Sequence, residues 1–171
     1  MSVNMRQATI HDAPEIARVH VDSWRTTYKG IVPQEYLDSL SYAARTDAWN
    51  AGLAKTDALN FVAEDTGKMC GFICGGKLRE PIADYDAELY AIYLLAEYQN
   101  RGIGRSLAQH LAKSLVQDGF KQLVVWVLVE NPACGFYTHL GGERIAEKPI
   151  QIGGAQLVEV AYGWKRIHDL V

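Results

Sequence analysis

The chain has 171 residues and a formal net charge of -3, the length of one ordinary domain with room for one sizeable core. The charge argues against a general basic face for nucleic acid. No apolar run approaches the roughly 18 residues needed to span a bilayer, so neither a nucleic acid nor a membrane is an expected partner.

In chain order, residues 1 to 6 lead into polar sequence with no apolar leader core, which makes the cytoplasm the expected compartment. A short strand is expected over 4 to 9. Asp12-Ala-Pro-Glu15 resembles a capping box opening a helix, on which Ala13, Ile16, Ala17, His20 and Trp24 share a face. Residues 26 to 32 read as a loop, Pro33 as the start of a short helix, and 42 to 52 as a further helix. Strands follow at 60 to 64 and 68 to 76, joined by a turn at Asp65-Thr-Gly67. Cys70 and Cys74 are expected on one face of the second strand as buried, reduced thiols, in keeping with an odd total of three cysteines. No metal-ligand spacing accompanies them, and no metal is expected.

Residues 79 to 86 are polar, contain Pro81 and read as a loop. The apolar run 87 to 95 suits a central strand. Residues 102 to 118 form an amphipathic helix that Gly119 is placed to end, and 123 to 129 a second apolar strand. Asn131-Pro132 is a helix-start signal, and Gly141-Gly142 stops that helix early. Strands at 143 to 152 and 156 to 164, with a hairpin turn at Gly153-Gly154, complete a single mixed α/β domain.

The most informative stretch is Tyr98-Gln-Asn-Arg-Gly-Ile-Gly-Arg-Ser106, between an apolar strand and an amphipathic helix. A helix N-terminus leaves backbone N–H groups without partners and carries partial positive charge. Gly102 and Gly104 remove side chains, so a ligand can come close to those groups. Arg101 and Arg105 add charge, and the arrangement suits a pyrophosphate. A lone Gly-x-Gly before a helix is more often a plain tight turn. A dinucleotide fingerprint fits poorly: the third glycine is missing, and the region about 20 residues on is apolar where an acidic residue is required.

Gln99-x-x-Gly102-x-Gly104 resembles the acetyl-CoA signature of the GNAT superfamily of N-acetyltransferases. Glu88-Leu-Tyr-Ala-Ile-Tyr-Leu94 is similar to the strand that precedes that signature, and Val124-Val-Trp-Val-Leu-Val129 to its partner strand. Asn131 to Gly141 resembles the downstream motif, with Asn131, Ala133, Phe136 and Tyr137 in matching places. Ser23 to Pro33 is similar to a segment found in many bacterial members. The motifs occur in order and cover nearly the whole chain.

The resemblance implies an α/β fold with a mixed, mostly antiparallel central sheet of about seven strands, helices on both faces, and a central parallel pair that splays apart at a bulge. It implies transfer of an acetyl group from acetyl-CoA to a primary amine, here expected on a small molecule, by direct attack in a ternary complex. It also implies, as often in the family, a homodimer. Ile92, Tyr93 and Leu94 are expected to hold the pantetheine arm. Gln99, Asn100, Arg101, Gly102, Ile103, Gly104, Arg105 and Ser106 are expected to hold the pyrophosphate. Asn131 would cap its helix and bond the cofactor.

Tyr137 would protonate the departing thiolate; core packing is its alternative reading. Glu88 would act as a base through water, unless it is a strand-end carboxylate facing solvent or proximity alone suffices. Cys134 lacks a supporting His or acid and is not expected to be a nucleophile. The acceptor is expected opposite the cofactor, walled by the first loop and by residues 79 to 86. Trp24, Tyr28 and Tyr36 are candidate lining, and Glu80, Asp84, Asp86 and Glu88 a candidate attractor for a cationic amine. A protein N-terminal or lysine acetyltransferase and a non-catalytic acyl-CoA-binding module remain as alternatives.

Overall fold

A computed structural model describes residues 3 to 171; Met1 and Ser2, the head of the segment read for a leader, lie outside the described residues. Seven strands form one sheet: β1 (Val3–Gln7), β2 (Ala58–Asp65), β3 (Lys68–Lys77), β4 (Ala87–Leu94), β5 (Leu123–Leu128), β6 (Glu143–Ile152) and β7 (Ala155–Trp164). The spatial order is β1-β2-β3-β4-β5-β7-β6, with β4 and β5 parallel and the other neighbours antiparallel. The five helices are α1 (Ala13–Thr27), α2 (Gln34–Ser39), α3 (Tyr42–Leu53), α4 (Ile103–Gln117) and α5 (Ala133–His139).

The helices divide between the two faces, because each strand alternates its side chains. Leu107, Leu111 and Leu115 of α4 pack on Ile73, Leu89, Val125 and Val127, and Tyr137 of α5 joins the same cluster. On the opposite face, Ile16 and Val19 of α1 pack on Val62 and Phe72, with Trp49 of α3 against them. A third cluster joins Tyr28, Val32 and Leu37 to Leu128. Each side chain in these clusters is withdrawn from water, which supplies the main drive for the layering.

Three local expectations are corrected. Helix α1 is capped one turn earlier than Asp12-Ala-Pro-Glu15 suggests: the Asp12 carboxylate accepts from the Thr9 N–H at 2.7 Å and the Thr9 hydroxyl at 3.0 Å, around a short 3-10 turn. Arg6 also holds Asp12 with two hydrogen bonds of 2.8 Å. Helix α1 then continues through Thr27, where a loop was expected, and the Tyr28 N–H still bonds the Trp24 carbonyl. Finally, Cys70 and Cys74 do not share a face. The register passes from Ala63↔Gly71 to Glu64↔Met69, so Cys70 is the extra residue of a bulge. That bulge turns Cys70 toward α4, whereas Phe72, two residues on, faces α1.

Candidate active site

The site begins where the two parallel strands part. β4 and β5 pair at three positions, Ala87↔Leu123, Glu88↔Val124 and Leu89↔Val125. The register of β4 on β3 then passes from Gly75↔Leu89 to Cys74↔Ala91, which leaves Tyr90 as a bulged residue. A bulge adds twist and re-aims its strand. Beyond it β4 stays on β3 while β5 follows β7. The backbone edge of β4 from Ala91 to Leu94 therefore has no strand beside it on the β5 side.

A cavity of about 640 Å³ occupies the split. Ile92, Leu94, Val125 and Val127 line it from the α4 face, and Ala91 and Tyr93 from the other. Trp126 alternates with its two valine neighbours and completes the second side. The cavity thus passes through the sheet and joins two differently built ends.

At one end is the loop into α4. Asn100 and Gly102 both adopt left-handed backbone, with φ of 59° and 79°, and the Ser106 N–H makes the bond to Gly102 O that begins the helix. The N–H groups of the first turn have no carbonyl above them within the helix. Gln99, Asn100, Gly102, Gly104 and Arg105 line this end. A Cβ on Gly104 would stand 3.3 Å from Cε2 of Phe136 and 3.5 Å from Cδ1 of Leu94. Glycine there keeps the floor of the loop open. Three residues of the expected cradle stand apart: Ile103 is buried in the core, Ser106 sits in the helix, and exposed Arg101 lies 5.6 Å over the Tyr98 ring.

At the other end, Tyr28 and Tyr93 line the cavity with their hydroxyls 3.3 Å apart. The Asn131 side chain joins them: its Oδ1 accepts from the Ala133 N–H at 2.9 Å and its Nδ2 donates to Tyr28 at 3.3 Å. Asn131 therefore both caps α5 and reaches across to α1. Trp24 stands behind, its ring 4.6 Å from that of Tyr28 and 6.2 Å from that of Tyr36. Trp24 and Tyr36 support the wall rather than line it. The buried Trp24 indole N–H has no hydrogen-bond partner among the described residues.

Tyr137 lies between the two ends. It is buried, lines the cavity, and packs against Phe136, Tyr162 and Trp164 at ring distances of 5.3, 5.9 and 6.3 Å. Burial pushes its phenol well above the ordinary value, and the neighbouring Tyr28 adds to the shift. The group stays protonated, as an acid must. Cys134, on the same helix, does not line the cavity; its thiol donates to the Leu128 carbonyl at 3.5 Å and is raised by burial.

Glu88 is not brought to the cavity. It belongs to the stretch where β4 and β5 remain paired, and Arg79 binds both its oxygens, with Arg79 Nε 3.1 Å and the Arg79 backbone N–H 3.2 Å from Oε2. The expected wall from residues 79 to 86 is likewise absent from the cavity. Two of the acidic side chains there are engaged elsewhere: Glu80 with Lys148 at 2.8 Å, and Asp86 with the N–H groups of Lys121 and Gln122. Among the described residues no aspartate or glutamate lines the cavity.

Sequence reasoning passed over Thr26 and Thr27, Tyr90, and Trp126, all of which line the cavity. Trp126 did carry a signal, as the one aromatic in the otherwise aliphatic strand β5. The bulge that places Tyr90 has no counterpart in hydrophobic pattern.

The family model of the acetyltransferase (GNAT) family matches residues 17–141. An uncharacterized N-acetyltransferase of Bacillus subtilis (strain 168), YuaI, is 45% identical over 169 residues, spanning 98% of this chain and 96% of its own length. A spermidine N(1)-acetyltransferase of Thermoplasma acidophilum is 24% identical over 86% of this chain and 91% of its own. The crystal structure of PaiA N-acetyltransferase from Thermoplasma acidophilum, in complex with coenzyme A, superposes with a TM-score of 0.70 at 25% identity, covering 96% of this chain and 99% of that one. The fold also matches that of yncA, a putative acetyltransferase from Salmonella typhimurium with its cofactor acetyl-CoA, at a TM-score of 0.73 and 19% identity over 96% and 94% of the two chains. With the splayed strands and glycine loop on the same frame, the chain belongs to the acetyltransferase (GNAT) family.

Proposed function

We propose that the protein transfers an acetyl group from acetyl-CoA to the primary amine of a small molecule, by direct attack within a ternary complex. The observation that carries this reading is the continuous cavity that runs through the sheet, from a helix N-terminus to a cluster of phenols. The residues present fit acetyl-CoA. The open edge of β4 can pair with an amide-bearing arm, as any exposed strand edge can. Gly104 leaves a cradle that a Cβ would fill, and the first turn of α4 with Arg105 suits a pyrophosphate. Bound acetyl-CoA supplies an acyl group activated as a thioester.

Ala91 to Leu94 would align that thioester along the split. Tyr137 would deliver its proton to the sulfur as the C–S bond breaks and the N–C bond forms. The proton shed by the amine nitrogen restores the phenol, so the protein ends each turnover in its starting state. The location of Cys134 outside the cavity supports direct transfer over an acyl-cysteine route. A small acceptor is supported by the packed wall of Trp24, Tyr28 and Tyr36 and by the spermidine-acetylating relative.

The test is incubation with acetyl-CoA and a panel of primary amines, read by released CoA thiol and by acetylated product. Amine-dependent CoA release supports the reading. Acetyl-CoA binding without turnover on any small amine would move it to the peptide-acetylating or non-catalytic alternatives.

A further inference from the structure

The proposed reaction needs an unprotonated nitrogen, and the acceptor end of the cavity contains phenols where a carboxylate base would be expected. Tyr28, just past the end of α1, and Tyr93 from β4 meet there, with Tyr137 from α5 between that end and the glycine loop. The orientation of Tyr28 is set from outside it. The Asn131 amide cannot turn over, because its Oδ1 is held by the Ala133 N–H; its Nδ2 must then face the Tyr28 oxygen. Tyr93 is fixed in turn by His20, whose ring stacks on it at 5.2 Å and 24°.

A phenol has one O–H to give and two lone pairs to receive. Asn131 donates to Tyr28, and the 3.3 Å contact between the two phenols can be made with either oxygen as donor; in the arrangement with Tyr28 donating to Tyr93, one lone pair on the Tyr28 oxygen remains for an incoming N–H. A neutral primary amine has two N–H bonds and one lone pair. Fixing an N–H on Tyr28 leaves the lone pair free to be aimed along the split toward the thioester. An ammonium has no such lone pair, and a buried site without a facing carboxylate penalises its charge.

We propose that Tyr28, set by Asn131 and Tyr93, is the acceptor-binding residue that takes the amine in its neutral form by accepting one of its N–H bonds. This rests on the acetyltransferase reading above. The titratable groups around the anchor are Tyr93 of β4, Tyr137 and Cys134 of α5, His20 of α1 and, from β7, Glu159. Glu159 lies outside the cavity lining and has Lys148 at 3.5 Å. It is the carboxylate that would serve if the proposal were wrong.

The experiment is calorimetry on the protein saturated with CoA, titrated with an amine it acetylates, in buffers of differing ionisation heat. The neutral-amine anchor predicts release of about one proton per amine bound below the amine's own pKa. Tyr28→Phe should weaken amine binding about fivefold, the cost of one neutral hydrogen bond, with acetyl-CoA affinity unchanged. A rate profile should rise with pH toward each acceptor's own pKa and shift when the acceptor is changed. Binding without proton release, or a Tyr28→Phe variant with wild-type amine affinity, overturns the proposal. So does a fixed acid-side limb that Glu159→Gln removes. Failure of acetyl-CoA to bind at all would instead overturn the parent reading, and the two outcomes are separable in one titration series.

Discussion

Gly104 of α4 and Phe136 of α5 meet so closely that a Cβ on the glycine would stand 3.3 Å from Cε2 of the ring. The contact closes the base of the glycine loop while leaving its backbone open to the cavity. Gly104→Val should therefore fill the cradle and push on the Phe136 ring. The added branches would also block close approach to the first-turn N–H groups, so acetyl-CoA affinity should fall about tenfold or more, about 1.4 kcal/mol. Direct binding measurement checks it; wild-type affinity would remove the loop from the cofactor site.

Tyr137→Phe should lower kcat by about 10²-fold while leaving acetyl-CoA affinity intact, because the substitution removes a proton donor and little packing. Its hydroxyl has no hydrogen bond to another side chain among the described residues, so thermal stability should be unchanged or slightly raised. Pre-steady-state turnover with a good acceptor separates chemistry from product release. A wild-type chemical rate would leave Tyr137 as a packing residue.

Glu88→Gln should act on stability rather than on the reaction. The carboxylate is buried, lies below the split, and is held on both oxygens by Arg79. The pair is buried only on the Glu88 side, since the Arg79 side chain is 60% exposed, so the unfolding midpoint in denaturant should drop modestly. Turnover of the remaining folded protein should stay within about threefold of wild type, since proton removal by a general base is worth far more than that. A hundredfold loss of kcat with an unchanged midpoint would restore Glu88 as a base.

His20 predicts an acid-sensitive core. Burial, with a contribution from Arg45, lowers its pKa to about 3, and Trp49 Nε1 donates to its Nδ1 at 3.2 Å. The folded value lies below the unfolded value of about 6.5. Stability is therefore complete above about pH 6.5 and declines as pH falls toward 3, because the unfolded chain takes up the proton first. The loss should reach about 2 kcal/mol by pH 5. His20→Leu should remove that part of the slope in denaturant titrations run at both pH values.

The glycine loop, the strand before it and the motif around Asn131 were legible because they depend on local rules: free N–H groups at a helix start, apolar alternation, and capping. Tyr137 and Tyr28 come from the resemblance to the family, not from these rules, and both line the cavity. What escaped was set by register and by distant partners. The bulges at Cys70 and Tyr90 alter which face a residue takes without altering the residue pattern. Glu88 reads equally as a base or as a solvent-facing carboxylate because its place on β4 says nothing of Arg79, which arrives from the loop before β4 and occupies both oxygens. The Asp12 carboxylate is likewise set by its partners, drawn back to Thr9 and Arg6 and away from the first turn of α1. Trp24 and Tyr36, candidates for the lining, stand behind Tyr28 instead, and that depth is a property of packing.

The central claim is that the split between β4 and β5 binds acetyl-CoA. Calorimetric titration of the folded protein with acetyl-CoA, with NADH as control, tests it most directly. The account predicts saturable one-to-one binding of acetyl-CoA, none of NADH, and loss of the signal in Gly104→Val. No binding of acetyl-CoA by folded protein, or equal binding of NADH, would contradict it.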